Sequence, residues 1–239
     1  MHFKTLTYTF FYRIQTYFHL KNVQRYCHTQ ILEQKYDTGN MSAWQITAYG
    51  GENNLQFTTN FELPIIDDPN SCLIKVSAAS VNPLDIEMMR RDFAGIVVAK
   101  GNSVVDFQIG DEVYGVVKPQ HQGCHAEYTV TSDKLLIKKP KFISMEKASA
   151  ILYTSLTAWC ALKISGSLII SPPKNKRVLI LGASGGVGQS AIQLLHAWGS
   201  QVIAICRTDA IPYVEKLSPE SIIDYTSPDY LSEIRSKGI

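Results

Sequence analysis

The chain has 239 residues, 45% of them apolar and 18% charged, which is the balance of a globular soluble protein of one large or two ordinary domains. Of its 23 Lys and Arg, four (Lys4, Arg13, Lys21 and Arg25) precede Leu32, where no acid stands, leaving 19 against 21 acidic residues in the remainder. A nearly neutral body argues against nucleic acid as the main partner.

Residues 1–32 are basic, acid-poor and rich in Thr, Tyr and Phe, the character of a mitochondrial transit peptide; an ordinary N-terminal tail would share that composition. Their apolar run is too short to span a bilayer and is broken by Arg13, Gln15 and His19. The five cysteines (27, 72, 124, 160 and 206) stand singly, with no Cys-x-x-Cys pair, so a reducing compartment and small apolar roles are expected of them, without metal.

From residue 42 a series of short strands is predicted: Ser42 to Tyr49, Leu55 to Phe57, Cys72 to Ala79, Phe93 to Lys100, Asp111 to Val117, His125 to Val130 and Leu135 to Lys138. Gly50-Gly51, Asn53-Asn54, Asp67-Asp68-Pro69-Asn70, Gly101-Asn102 and Gly110-Asp111 punctuate them. Many closely spaced strands suggest a small barrel, here residues 42–145. At Ser144, a helix-capping residue, the apolar period becomes helical and runs to Leu162, a helix joining two halves. Ser171-Pro172-Pro173 is a stiff connector.

Arg177 to Leu195 then reads as a buried strand, a glycine turn and a helix. Val178 to Leu181 is an apolar run, and Gly182, Gly185, Gly186 and Gly188 let backbone approach a ligand. The helix beyond offers free N–H groups and a positive dipole end to phosphates. The predicted pyrophosphate contacts are Ser184, Gly185, Gly186, Val187 and Gly188. Helix Gln189 to Trp198, strand Gln201 to Cys206, helix Ile211 to Leu217 and strand Ser221 to Asp224 complete βαβαβ, the first half of a dinucleotide-binding sheet within residues 146–239. A complete doubly wound sheet needs further strands, so this half is expected to be truncated. The second strand ends in Cys206-Arg207 with no carboxylate at its end; Arg207 can pair with a 2′-phosphate, favouring NADPH, and a solvated arginine is the plain alternative.

Ala-Ala-Ser-Val-Asn-Pro-Leu-Asp (78–85), Arg-Asp-Phe-Ala-Gly, Gly-Asp-Glu-Val-Tyr-Gly, Leu-Thr-Ala-Trp and Gly-Ala-Ser-Gly-Gly-Val-Gly together resemble the quinone oxidoreductase branch of the medium-chain dehydrogenases. Ser-Ala-Trp at 42–44 and Pro-Ile-Ile at 64–66 are similar to its mitochondrial reticulon-interacting members. The resemblance implies a GroES-like β-barrel domain followed by a Rossmann-type doubly wound domain, α/β in class. It implies NADPH-dependent hydride transfer to a quinone or enone, a link to ubiquinone synthesis in the mitochondrial matrix, a reticulon-type membrane protein as partner, and a homodimer. Zinc-dependent relatives place Cys, His and Cys where this chain has Asn82, Arg91 and Tyr153, which cannot replace thiolate and imidazole on the metal.

The resemblance therefore implies hydride transfer without metal, for which Asn82 is expected to orient the substrate carbonyl or the nicotinamide amide, Tyr153 to donate to the developing oxyanion and Thr157 to touch the nicotinamide, and it implies Tyr225 beside the adenosine phosphate. The plain readings are that Asn82 caps a turn before Pro83, that Tyr153 is core and that Tyr225 packs a strand end. Asp85 to Arg90 runs almost directly into Arg-Asp-Phe, an apparent internal deletion near 90 relative to the family's pattern. With a shortened nucleotide domain, the alternatives are an NADPH-binding scaffold or sensor without turnover, and an inactive truncated isoform.

Overall fold

The computed structural model describes residues 39–48, 52–82, 92–117, 123–166 and 176–237, all within one compact unit, Leu32–Ile239. The expected transit segment at 1–32, the deletion near 90 with Arg91, and the connector at 171–173 lie outside the described residues.

Seven strands build the first half. β1 (Asn40–Ile46) and β2 (Leu55–Glu62) form an antiparallel ribbon with an irregularity between Met41 and Ala43. β3 (Ser71–Ala79), β4 (Asp92–Lys100), β5 (Glu112–Val116), β6 (Tyr128–Ser132) and β7 (Leu136–Lys138) form an antiparallel sheet in the order β6-β3-β4-β5-β7. The ribbon is tied to this sheet through a bridge between Ala43 and Ala126, with the Trp44 N–H donating to the His125 carbonyl at 2.9 Å. Central β4 begins with four buried residues, whereas β5 alternates, burying Val113 and Gly115. Phe93, Val97, Val113 and Ile74 are fully shielded and knit the sheet into one core. The strands expected from residue 42 all form, with ends moved by a few residues; β2 reaches Glu62 and the sixth strand starts at Tyr128 rather than His125.

The single joining helix expected from Ser144 to Leu162 is instead broken in two. Ser144 caps α1 (Met145–Ser149), accepting the Lys147 N–H at 3.3 Å, but the chain turns at Ala150 and Ile151 before α2 (Leu152–Cys160) begins. In the first turn of α2 the Tyr153 N–H donates to the Asp92 carboxylate at 3.2 Å. First-turn N–H groups have no partner within their own helix, and a buried carboxylate supplies one here. A wider π turn, Ala161–Ser165, extends α2.

The second half is a parallel three-stranded sheet, order β10-β9-β8, of β8 (Arg177–Leu181), β9 (Gln201–Cys206) and β10 (Ser221–Asp224). β9 is central and buried on both faces, which is why its sequence is an unbroken apolar run. Val202, Ala204 and Cys206 pack with Ile192 and Leu195 of α3 (Gly186–Ala197), while Ile203 and Ile205 meet Ile234 of the last helix. The second crossover is a short α4 (Ile211–Val214) between 3-10 turns at Thr208–Ala210 and Glu215–Leu217, not the continuous helix expected over Ile211 to Leu217. α5 (Tyr230–Ser236) closes the far face of the sheet.

Candidate functional site

α3 starts three residues earlier than its apolar period indicated, at Gly186, because the glycine turn feeds straight into it. Gly182 has φ +69°, a backbone state that side chains resist. Gly188 lies so close to the turn that a Cβ would stand 2.3 Å from the Gly182 carbonyl oxygen, and at Gly186 one would meet the Thr154 methyl at 2.9 Å. The turn is therefore wedged between β8 and α2. Gly185 at the N-cap of α3 has no side chain to offer, so among the described residues no N-cap side-chain bond is made to the first N–H groups. That absence of a capping side chain, beside a turn stripped of Cβ atoms, fits a pyrophosphate.

The turn forms one wall of a cleft of about 800 Å³, with Asn82 beyond β3 and Tyr153 and Thr154 of α2 on the other side. Asn82, Tyr153, Gly185, Gly186, Val187 and Gly188 are thus brought together. Ser184 sits in the same turn, half-buried, its carbonyl accepting from the Gln189 amide at 2.7 Å. Thr157 is not among the residues that line the cleft; it is exposed, and its hydroxyl donates to the Tyr153 carbonyl at 2.8 Å.

Two residues the sequence did not single out shape the cleft. Asp92, the first residue of β4, is a fully buried acid. One carboxylate oxygen accepts from the Ser80 hydroxyl (3.3 Å), the Asn82 amide (3.4 Å) and the Tyr153 N–H (3.2 Å). Its signal in the sequence is an acid opening the apolar run of a central strand. Thr154 contacts both the cleft and α3, where the Ser190 hydroxyl donates to it at 3.3 Å.

At the C-terminal ends of β9 and β10, the expectation of no carboxylate beside Arg207 needs correction. The 3-10 turn after Arg207 brings Asp209 back onto it, with bonds of 2.7 Å to Nε and 2.5 Å to Nη2. That pairing raises the guanidinium above its usual range and holds the Asp209 carboxyl below its own. Asp224 ends β10, held low chiefly by the Thr208 hydroxyl and then by Thr226. Tyr225 follows, half exposed, with its N–H on the Cys206 carbonyl at 3.2 Å. Among the described residues no group of three or more His, Cys, Asp or Glu side chains could hold a metal ion.

An antiparallel β domain joined through helices to a parallel sheet, with the glycine turn packed against α2, is an arrangement similar to that of the medium-chain dehydrogenases/reductases. Residues 68–141 match the alcohol dehydrogenase GroES-like domain family. The chain is similar to members of the medium-chain dehydrogenase/reductase superfamily. It is 40% identical over 224 residues to the mitochondrial NAD(P)H oxidoreductase RTN4IP1 of Mus musculus, covering 82% of this chain and 57% of that protein. It is 34% identical to the 2-methylene-furan-3-one reductase of Solanum lycopersicum over 80% of this chain and 53% of that one. The quinone oxidoreductase structure from Coxiella burnetii superposes with a TM-score of 0.70 at 30% identity, covering 81% of this chain and 65% of the other. The chain thus spans less than two thirds of the length of each of these relatives.

Proposed function

We propose that the chain carries the cofactor turn and substrate cleft of an NADPH-dependent, zinc-independent oxidoreductase that transfers hydride to a quinone or enone. The observation that carries the reading is the uncapped N-terminus of α3, wedged by glycines into one wall of a cleft whose other wall holds Asn82 and Tyr153. The N–H groups at Gly186, Val187 and Gly188, with Ser184 and Gly185, would hold the pyrophosphate; Arg207 would take the 2′-phosphate and Tyr225 would flank the adenosine phosphate. A bound reduced nicotinamide supplies the hydride. Tyr153 donates its phenol proton in a hydrogen bond to the oxygen that gains charge on the acceptor, and Asn82 orients a carbonyl or amide beside it. Thr157 is left out of this set because its hydroxyl already serves the α2 backbone.

The names of the relatives support the same reading: NAD(P)H oxidoreductase, furanone reductase and quinone oxidoreductase. Asn82 and Tyr153 offer no thiolate or imidazole where zinc-dependent relatives place ligands, which supports chemistry without metal. The mitochondrial naming of the relatives supports a mitochondrial location, and we place the protein in the matrix, serving ubiquinone synthesis. A second reading, a nucleotide-binding scaffold for a reticulon-type membrane protein, draws on the Caenorhabditis elegans relative named reticulon-4-interacting protein 1, 35% identical over 72% of this chain.

Binding of NADPH followed by turnover with a panel of quinones and enones separates the two. The enzyme reading expects turnover, and Tyr153→Phe to lower kcat on the order of 10- to 100-fold with NADPH affinity unchanged. Binding without turnover supports the scaffold, and turnover indifferent to both Tyr153→Phe and Asn82→Ala removes the roles assigned to these residues.

A further inference from the structure

Thr154, next to Tyr153 on α2, is the point at which that helix touches the cofactor turn. With Gly186 and Ala150 it lines both the cleft and a second hollow of about 440 Å³, so these residues form a wall common to the two. Its hydroxyl is held from both helices. It donates to the Ile151 and Ala150 carbonyls at 3.2 and 3.3 Å, and it accepts from Ser190 of α3 at 3.3 Å. A β-branched side chain is stiff about its first torsion, and fixing the hydroxyl fixes the methyl with it. That methyl lies against Gly186, the first residue of α3: a Cβ added there would stand 2.9 Å from the Thr154 Cγ2 and 3.7 Å from its Cβ. Gly186 in turn opens the helix read above as the seat of the pyrophosphate.

We propose that Thr154 is a positioning residue for the cofactor: its methyl is the stop on which the start of α3 rests, and it sets the distance between the pyrophosphate seat and Tyr153. The proposal rests on the cofactor reading above and deepens it. Ser155 strengthens the same seam, its hydroxyl donating to Ser190 at 3.4 Å. A serine at 154 would keep the hydroxyl and its three bonds and lose only the methyl. A methyl at Gly186, conversely, meets Thr154 alone, so its effect on the cofactor runs through that side chain. Making both changes moves one methyl across the contact and conserves its volume.

The test measures, by calorimetry on the full chain, the preference for NADP⁺ over 2′,5′-ADP, which lacks the second phosphate, its ribose and the nicotinamide. A change that only weakens the fold lowers both affinities and leaves the preference alone. Gly186→Ala, which must push the start of α3 off α2, is expected to cut the preference roughly five- to tenfold. Thr154→Ser, which leaves a gap of one methyl, is expected to cut it roughly two- to fourfold. The double variant is expected to return it to within about twofold of the unmodified chain, where independent effects would multiply to a deeper loss. If Gly186→Ala no longer binds 2′,5′-ADP, the decision passes to Thr154→Ser, which must lower the preference by itself, and to the double variant, which must restore it.

Single variants that bind 2′,5′-ADP and keep the full preference, or a double variant no better than the product of the two losses, overturn the proposal and leave the cofactor reading standing. Failure of the unmodified chain to bind either NADP⁺ or 2′,5′-ADP overturns the cofactor reading and this inference with it.

Discussion

Arg207 shows how far a single residue can be read before its neighbours are placed. An arginine at the end of the second strand of such a sheet implies a 2′-phosphate, yet in the structure its guanidinium already has a carboxylate partner two residues on. Both side chains are mostly exposed, each 62% accessible, so water screens the pair and a dianionic phosphate can compete for the arginine. Asp209 then acts as an internal rival of the cofactor. Arg207→Ala is expected to cut the preference for 2′,5′-ADP over 5′-AMP on the order of tenfold, and Asp209→Asn to raise it roughly two- to fivefold, both read by calorimetric titration. Equal preference in all three proteins would remove the adenosine end of the site from this position.

Among the elements, the strand, glycine turn and α3 were the most legible, because the glycine spacing and the apolar runs that mark them lie within a short stretch of sequence. β8, β9 and β10 formed within a residue of their expected ends. The joining helix was not legible in the same way. Its break at Ala150 and Ile151 coincides with a bond from Tyr153 to a carboxylate 61 residues earlier, and no local period reports such a partner. Asn82 and Tyr153 could be picked out as a pair, but the Asp92 that joins them could not, since an acid at a strand start is ordinarily a solvated end. The glycines of the turn divide into two that pack, Gly186 and Gly188, and two with room for a Cβ, Gly182 and Gly185, of which Gly182 alone has a positive φ. Gly188→Ala forces a Cβ against backbone at 2.3 Å and is expected to lower Tm by roughly 3–10 °C. At Gly185, where φ is −73° and the nearest atom stands 3.4 Å from a Cβ, alanine is expected to leave Tm nearly unchanged while weakening NADP⁺ binding severalfold. Thermal melts with and without NADP⁺ separate the two; a Gly185→Ala protein that melts lower without cofactor would make that glycine structural.

For the molecule as a whole, a count of short strands was enough to expect a barrel-like first half, whereas the order β6-β3-β4-β5-β7 depends on pairings that sequence neighbours do not set. The second half carries a feature that only the assembled sheet shows. Among the described residues β8 pairs with β9 alone, and Leu179, Ile180 and Leu181 of this edge strand line the cleft. Leu181 is 72% exposed there. A parallel strand of apolar sequence is ordinarily covered on both faces, and an open edge with protruding apolar side chains is a template for pairing with another chain. The Trp44 and Phe57 rings, 5.5 Å apart and both half exposed, add an apolar patch on the β1-β2 ribbon. If the edge governs association, the chain self-associates with rising concentration, and Leu181→Lys lowers the associated fraction severalfold in light scattering without moving Tm, because a charge on an edge opposes strand addition and this side chain leaves no core contact behind. Phe57→Lys, on the ribbon, is expected to change it little. The reverse order of effect would assign association to the aromatic patch, and a monomer at all concentrations would show that the β8 edge is protected in solution.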